Sequence, residues 1–304
     1  MNLTDINTQI ETQIETIAQS RLDRRKFFRQ AGYFGLGAAA TGLALSGSSA
    51  KAQGNANQTQ DTIAEIFTAF LIAEDLATTF YYNGLVGAVI QDPALAGPGG
   101  TAANIRSTGN VGNVNYLQAA LIQEIEHANL FRTYLGDATG TKAGDPVANF
   151  YFPAGTFDTL GGFLPILNAL ENAFIGAYIV LIQELTYKAT LAGAGALTGV
   201  DAKFTAKQYQ LFAKTAGSIL GVESEHRVLG RVIGNQNPAN NYNYEQTDGL
   251  TSIYNGAKTS AVAALTPFLS ASSSFPDGFP LATALANRRM VTGNVVTSGG
   301  QPTA

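Results

Sequence analysis

Apolar residues recur at steps of three and four along four long stretches of the chain. Over 61–91, Ile63, Phe67, Phe70, Glu74, Thr78 and Tyr81 fall on one stripe, the spacing of a helix face. Asp61 is placed to cap this helix and Asp92-Pro93 to end it. A second helix is predicted over about 114–136, with Leu117, Leu121, Glu124, His127 (beside Ala128), Phe131 and Leu135 in line and Gly136-Asp137 as its stop. A third, over about 160–192, aligns Leu164, Leu167, Glu171, Phe174, Tyr178, Leu181 and Leu185. A fourth starts at the capping residue Thr205 and runs to about Ile233 through Phe212, Ala216, Ile219, Glu223, His226 and Gly230. Gly234 and Pro238 close it. The stretch "ALAGPGGTAANIRSTGNVGN" reads as a loop, and 137–157, rich in Gly, Pro, Asn and aromatics, as a long ordered connection. No segment alternates with period two over a useful length. The pattern therefore predicts an all-α four-helix bundle. From about 235 the chain is rich in Asn, Ser, Thr, Gly and Pro, so a short, irregular or partly helical extension is expected. Within it, 251–270 can form one or two short helices against the bundle, and the last ten or so residues are expected to be mobile.

The stripes are not wholly apolar. Each carries a glutamate, and the second and fourth also carry His127 and His226, the only two histidines in the chain. Both sit in Glu-x-Glu-His settings 99 residues apart. Glu124 with His127, and Glu223 with His226, are three apart and so share a helix face. Glu126 and Glu225 point about 100° away from those histidines. Glu74 to Glu124 spans 50 residues and Glu171 to Glu223 spans 52, while Tyr81 and Tyr178 each follow a stripe glutamate by seven. The chain therefore reads as two similar hairpins, 61–136 and 160–234. Buried carboxylates are costly unless paired or bound to metal. Four Glu and two His on four facing helices are what a carboxylate-bridged dinuclear metal site requires. Glu74, Glu124, His127, Glu171, Glu223 and His226 are the candidate ligands. Glu184 is a rival on the third helix, but it lies off the stripe, has Lys188 four residues on as a surface partner, and breaks the repeat spacing. Tyr81 and Tyr178 are read as core packing, with a hydrogen bond to a ligand carboxylate as the alternative.

Composition narrows the chemistry. Charged residues make up 13% of the 304, formal net charge is −4 and the isoelectric point is near 5.2, so there is no basic surplus to bind nucleic acid. The absence of Cys removes disulfides, thiolate metal sites and thiol nucleophiles, without fixing the redox compartment. Carboxylate and imidazole ligands suit Fe or Mn, with Zn also compatible. After a polar leader over 1–22, Arg24-Arg25-Lys26-Phe27-Phe28 precedes a Gly- and Ala-rich apolar run and the small-residue site Ala50-Lys51-Ala52. These resemble a twin-arginine export signal with its cleavage site. The expected organisation is a signal peptide over 1–52, a bundle over 53–234 and an extension over 235–304, with no stable membrane span once the signal is cleaved and a periplasmic or extracellular location.

The segments "FLIAEDLATTFYYNGL", "ALIQEIEHANLFRTYLG", "ALENAFIGAYIVLI" and "SILGVESEHRVLGR" resemble the ferritin-like superfamily. They are most similar to its exported bacterial ferritin-like domain proteins, the family that also includes plant desiccation-related proteins. That resemblance covers about 61–234. It implies a four-helix bundle with a long crossover between the second and third helices, and it carries the ligand pattern onto Glu74, Glu124, His127, Glu171, Glu223 and His226. The exit channels and cage contacts of true ferritins have no counterpart, so iron storage in a shell is not expected. Two metal ions reacting with O2 or peroxide, as a ferroxidase, oxidase or catalase-like oxidoreductase, is the first expectation. A non-catalytic cell-envelope or stress- and desiccation-related protein with a structural metal site is the alternative, and a bundle that has lost its metal is the third. An oligomer is compatible with each.

Overall fold

The computed structural model describes residues 61–85, 90, 92–102, 104–141, 143–237, 253 and 260–287. The expected export signal, its cleavage site and the C-terminal end lie outside these residues. In chain order the elements are α1 (Ile63–Leu85), α2 (Pro93–Ala96), α3 (Val111–Thr139), β1 (Asn149–Phe152), α4 (Leu160–Gly193), α5 (Ala206–Ile233), α6 (Ala261–Leu265), β2 (Asp277–Pro280) and α7 (Leu281–Asn287). Short 3-10 turns at Asp201–Lys203 and Thr266–Phe268 complete them. The fold is an all-α, ferritin-like bundle of four long helices with a short irregular C-terminal part.

Local chemistry sets the helix ends. Thr205 and Gln208 form a capping box on α5, and Asn110 and Thr159 accept from the third backbone amide of α3 and α4. On α1 the box is closed by Thr62 and Glu65, and Asp201 Oδ1 accepts from the Ile63 amide at 2.7 Å. The start of α1 is therefore capped by Thr62 and by a residue between α4 and α5. Gly136 does not stop α3. The helix continues one turn to Gly140, whose φ of 76° is the left-handed conformation that glycine adopts without strain. The segment after Asp92 is not wholly a loop: Asp92 caps the single turn of α2, and α3 begins about three residues earlier than the expected start near 114.

Helix α1 runs antiparallel to α3, bringing Phe67 to Tyr134 and Glu74 to His127. Helix α4 runs antiparallel to α5, with Leu167 against Gly230 and Ile182 against Gly217. Each hairpin is extensively packed within itself, and the contacts between hairpins are sparser. Gly84 admits the face of Phe163; a Cβ there would lie 2.5 Å from the ring. Helix α4 is long and apolar enough to cross a membrane by composition, yet it is largely buried among its neighbours, as the core helix of a bundle is.

The crossover from α3 to α4 is not structureless. Its strand β1 pairs antiparallel with β2 of the C-terminal segment, Asn149 opposite Pro280 and Phe152 opposite Asp277. Four-residue strands are too short to show period-two alternation in the sequence, which is why none was expected. Phe152, Phe157, Phe268, Phe275 and Phe279 pack in an aromatic cluster that reaches Phe80 and Phe163 of the bundle. Helix α6 and the 3-10 turn after it fall within the stretch 251–270 where short helices were expected.

Asp201 ties three elements together: it caps α1, pairs with buried Lys188 of α4, and its carbonyl accepts from Tyr209 of α5. Removing one partner of a buried ion pair strands the other charge. Asp201→Ala should cost about 3–5 kcal/mol in denaturant unfolding, whereas Thr205→Ala, which removes only a surface cap, should cost about 1 kcal/mol.

Candidate metal centre

Two apolar clusters fill the bundle. One centres on Phe80, Phe163 and Leu167, the other on Phe67, Phe131 and Phe212. Between them the helices place their polar stripe residues. Glu74 comes from α1, Glu124 and His127 from α3, Glu171 from α4, and Glu223 and His226 from α5. All four carboxylates and His226 are buried; His127 is partly exposed.

The six side chains form two overlapping groups, Glu74–Glu124–His127–Glu223 and Glu124–Glu171–Glu223–His226. In each group the ligand-type atoms lie within 4.8 Å of one another. His127 Nδ1 is 3.3 Å from Glu74, 3.5 Å from Glu124 and 3.2 Å from Glu223. His226 Nδ1 is 2.9 Å from Glu124, 3.5 Å from Glu223 and 3.9 Å from Glu171. These approaches lack the alignment of hydrogen bonds. Both Nδ1 atoms, both oxygens of Glu124 and Glu223, and one oxygen each of Glu74 and Glu171 have no hydrogen-bond partner. Orphaned acceptors in a dry interior, converging with imidazole nitrogens, fit a cation.

The remaining oxygens of Glu74 and Glu171 are taken by tyrosines, and the pairing is crossed. Tyr81 of α1 donates to Glu171 of α4 at 2.6 Å, and Tyr178 of α4 donates to Glu74 of α1. Burial, then the nearby carboxylates, raises both phenols well above their ordinary range, so they stay protonated donors. The two tyrosines thus orient carboxylates as well as packing. On α5, His226 Nε2 meets Gln123 Oε1 of α3 at 2.8 Å. Gln123 was not foreseen, because the corresponding position of the second hairpin is Val222 and the repeat offers no signal there. Arg132 of α3 bridges buried Asp75, at 2.6 Å, and Asp145 of the crossover, at 2.7 Å.

Glu184 belongs to neither group. It is not a surface residue either: Glu184 is 3% exposed, and Lys188, its expected surface partner, is buried against Asp201. Asp201, in the connection between α4 and α5, reaches back to Lys188 on a face that the stripe assigned to solvent. Glu126 and Glu225 are exposed as expected, and Glu225 accepts from Tyr116.

The charges are strongly coupled. Burial raises Glu74 well above 4.5, opposed by His127 and reinforced by Glu223 and Glu124. Glu171 is raised in the same way, with His226 opposing. Burial would raise Glu124 too, but His226 and His127 together outweigh it and hold that carboxyl below its ordinary range. Burial disfavours charge on both imidazoles, yet the surrounding carboxylates win and raise both. Without metal, Glu74 and Glu171 are pushed towards keeping their protons, Glu124 towards ionising, and both imidazoles towards carrying charge.

Residues 62–208 match the family model described as a ferritin-like domain. With the bundle, this supports the ferritin-like superfamily. Glu223 and His226 lie beyond the matched stretch, and the geometry alone brings them to the other four. No curated protein and no solved structure matches the chain.

The pH dependence of the metal-free protein follows from these shifts. Unfolded Glu and His release protons near 4.5 and 6.5, while folded Glu74, Glu171, His127 and His226 hold them to higher pH. Asp75, raised to about 7 by burial against the pull of Arg132, acts in the same direction. Wherever the unfolded chain binds fewer protons, stability falls as pH rises. Glu124 acts oppositely, but only below its unfolded value of 4.5. The thermal midpoint of chelator-treated protein should therefore fall from about pH 5 to about pH 8; a midpoint that climbs across this window would contradict the charge assignment.

Proposed function

We propose that the cluster holds two metal ions, Fe or Mn, for redox chemistry with O2 or peroxide. Glu124 and Glu223 would serve both ions, Glu74 and His127 would help hold one, and Glu171 and His226 the other. The observation that carries this reading is the overlap of the two four-residue groups at Glu124 and Glu223. When bound, such a pair supplies electrons to a small oxidant. The chain's own residues do the rest. Tyr81 and Tyr178 hold the unshared carboxylates in place. The apolar clusters on either side exclude bulk water.

The near-complete burial of the ligands favours one second reading: a metal pair that only stabilises the bundle of an exported stress protein. We also propose export through the twin-arginine-type signal, on the strength of Arg24-Arg25 and the Ala50-Lys51-Ala52 site.

Elemental analysis of protein from its native host should find two Fe or Mn per chain. His127→Ala and His226→Ala should each lose metal and lower the thermal midpoint, because carboxylates are then crowded without their counter-charge. Glu126→Gln and Glu225→Gln should do neither. Metal loss in the glutamate variants alone would refute the ligand set. A loaded protein that is stabilised but consumes neither O2 nor peroxide would select the structural reading. Replacing Arg24 and Arg25 by lysine should abolish export, read by cell fractionation; undiminished export would rule out that route.

A further inference from the structure

The two hairpins repeat with a step of 99 residues at the metal-facing positions, Glu124 with Glu223 and His127 with His226. One position earlier the repeat breaks, with Gln123 in the first hairpin and Val222 in the second. Gln123 reaches across the seam between α3 and α5 and sets its amide oxygen 2.8 Å from His226 Nε2. An amide oxygen only accepts, so Nε2 carries the proton and Nδ1 is left to face Glu124 and Glu223. The His226 ring is thus fixed in orientation, and with Nδ1 ligating a metal its one proton stays on Nε2. His127 also turns Nδ1 to the carboxylates, but among the described residues none hydrogen-bonds its Nε2. Its side chain is 11% exposed, against 1% for His226. Val222 has no acceptor to offer.

Building on the dinuclear reading above, we infer that the two metal positions are inequivalent. The position of Glu171 and His226 is the tight one, held by Gln123 as a positioning residue. The position of Glu74 and His127 is the exchangeable one, on the solvent side of the α3–α5 seam. A hydrogen-bond partner behind a ligating histidine contributes about 10–100-fold in metal affinity. That is enough to separate two positions with otherwise matching ligands.

The test is stepwise Zn(II) titration of the metal-free full chain against a chelator, with 15N NMR of the two histidines in the zinc-loaded form. Native protein should bind two ions in steps at least about tenfold apart. One histidine should show a solvent-protected Nε2–H. Gln123→Leu should weaken the tight step by about 10–100-fold, leave the weak step unchanged and lose the protected proton. Gln123→Glu, which keeps an acceptor, should preserve both. Val222→Gln, at a partly exposed position, should tighten the weak step and bring a second protected proton, and it decides the matter if the leucine variant folds poorly. Two ions bound in one indistinguishable step, or both steps weakened equally by Gln123→Leu, overturns the inequivalence while leaving the dinuclear centre intact. No zinc taken up by native protein overturns both.

Discussion

Four carboxyl groups packed between two apolar clusters repel one another when ionised in a medium that screens poorly, and the bundle persists only if protons or positive charge are placed among them. The chain supplies that charge sparingly. Its two histidines stand at the cluster, and each touches three of the glutamates. The carboxylates set the imidazoles' protonation, and the imidazoles decide which carboxylate ionises. A cation pair does the same task better, since it meets orphaned oxygens that no proton satisfies. Burial of this kind is weak evidence for stability and better evidence for a function that needs it.

The crossed tyrosines show how the two hairpins are matched. Each hairpin sends a phenol to the other's unshared glutamate, so neither half of the cluster is complete without its partner. Outside this core the repeat diverges. Asp75 faces Arg132 where its counterpart Asn172 meets Arg227. A duplicated scaffold that is symmetric at the charged centre and asymmetric around it lets like positions take up unlike tasks.

Much of this was legible in the sequence because helix periodicity and burial are the same information read twice. The six polar residues stood out by lying on stripes that had to be buried, and the hairpin repeat singled out Glu171 on the third helix. What stayed hidden was tertiary. Glu184 and Lys188 look like an exposed pair, yet both are buried, Lys188 against Asp201 of the α4–α5 connection. The α1 cap is supplied partly by Asp201, far along the chain. Gln123 has no repeat partner to draw attention to it. Strand β1 is too short to signal itself and exists by virtue of β2.

That last pairing has a consequence for how the chain is made. Each helical hairpin closes through local contacts and can form soon after it is synthesised. The small sheet cannot: β1 must wait until the whole second hairpin has emerged and residues 277–280 arrive. Until then the aromatic surface around Phe152 and Phe157 lacks Phe268, Phe275 and Phe279, and exposed aromatics beside an unpaired strand edge invite association with other chains. The C-terminal segment thus works as a latch on a nascent protein. A chain shortened ahead of β2 would retain every one of the six cluster residues and still present a sticky, open end.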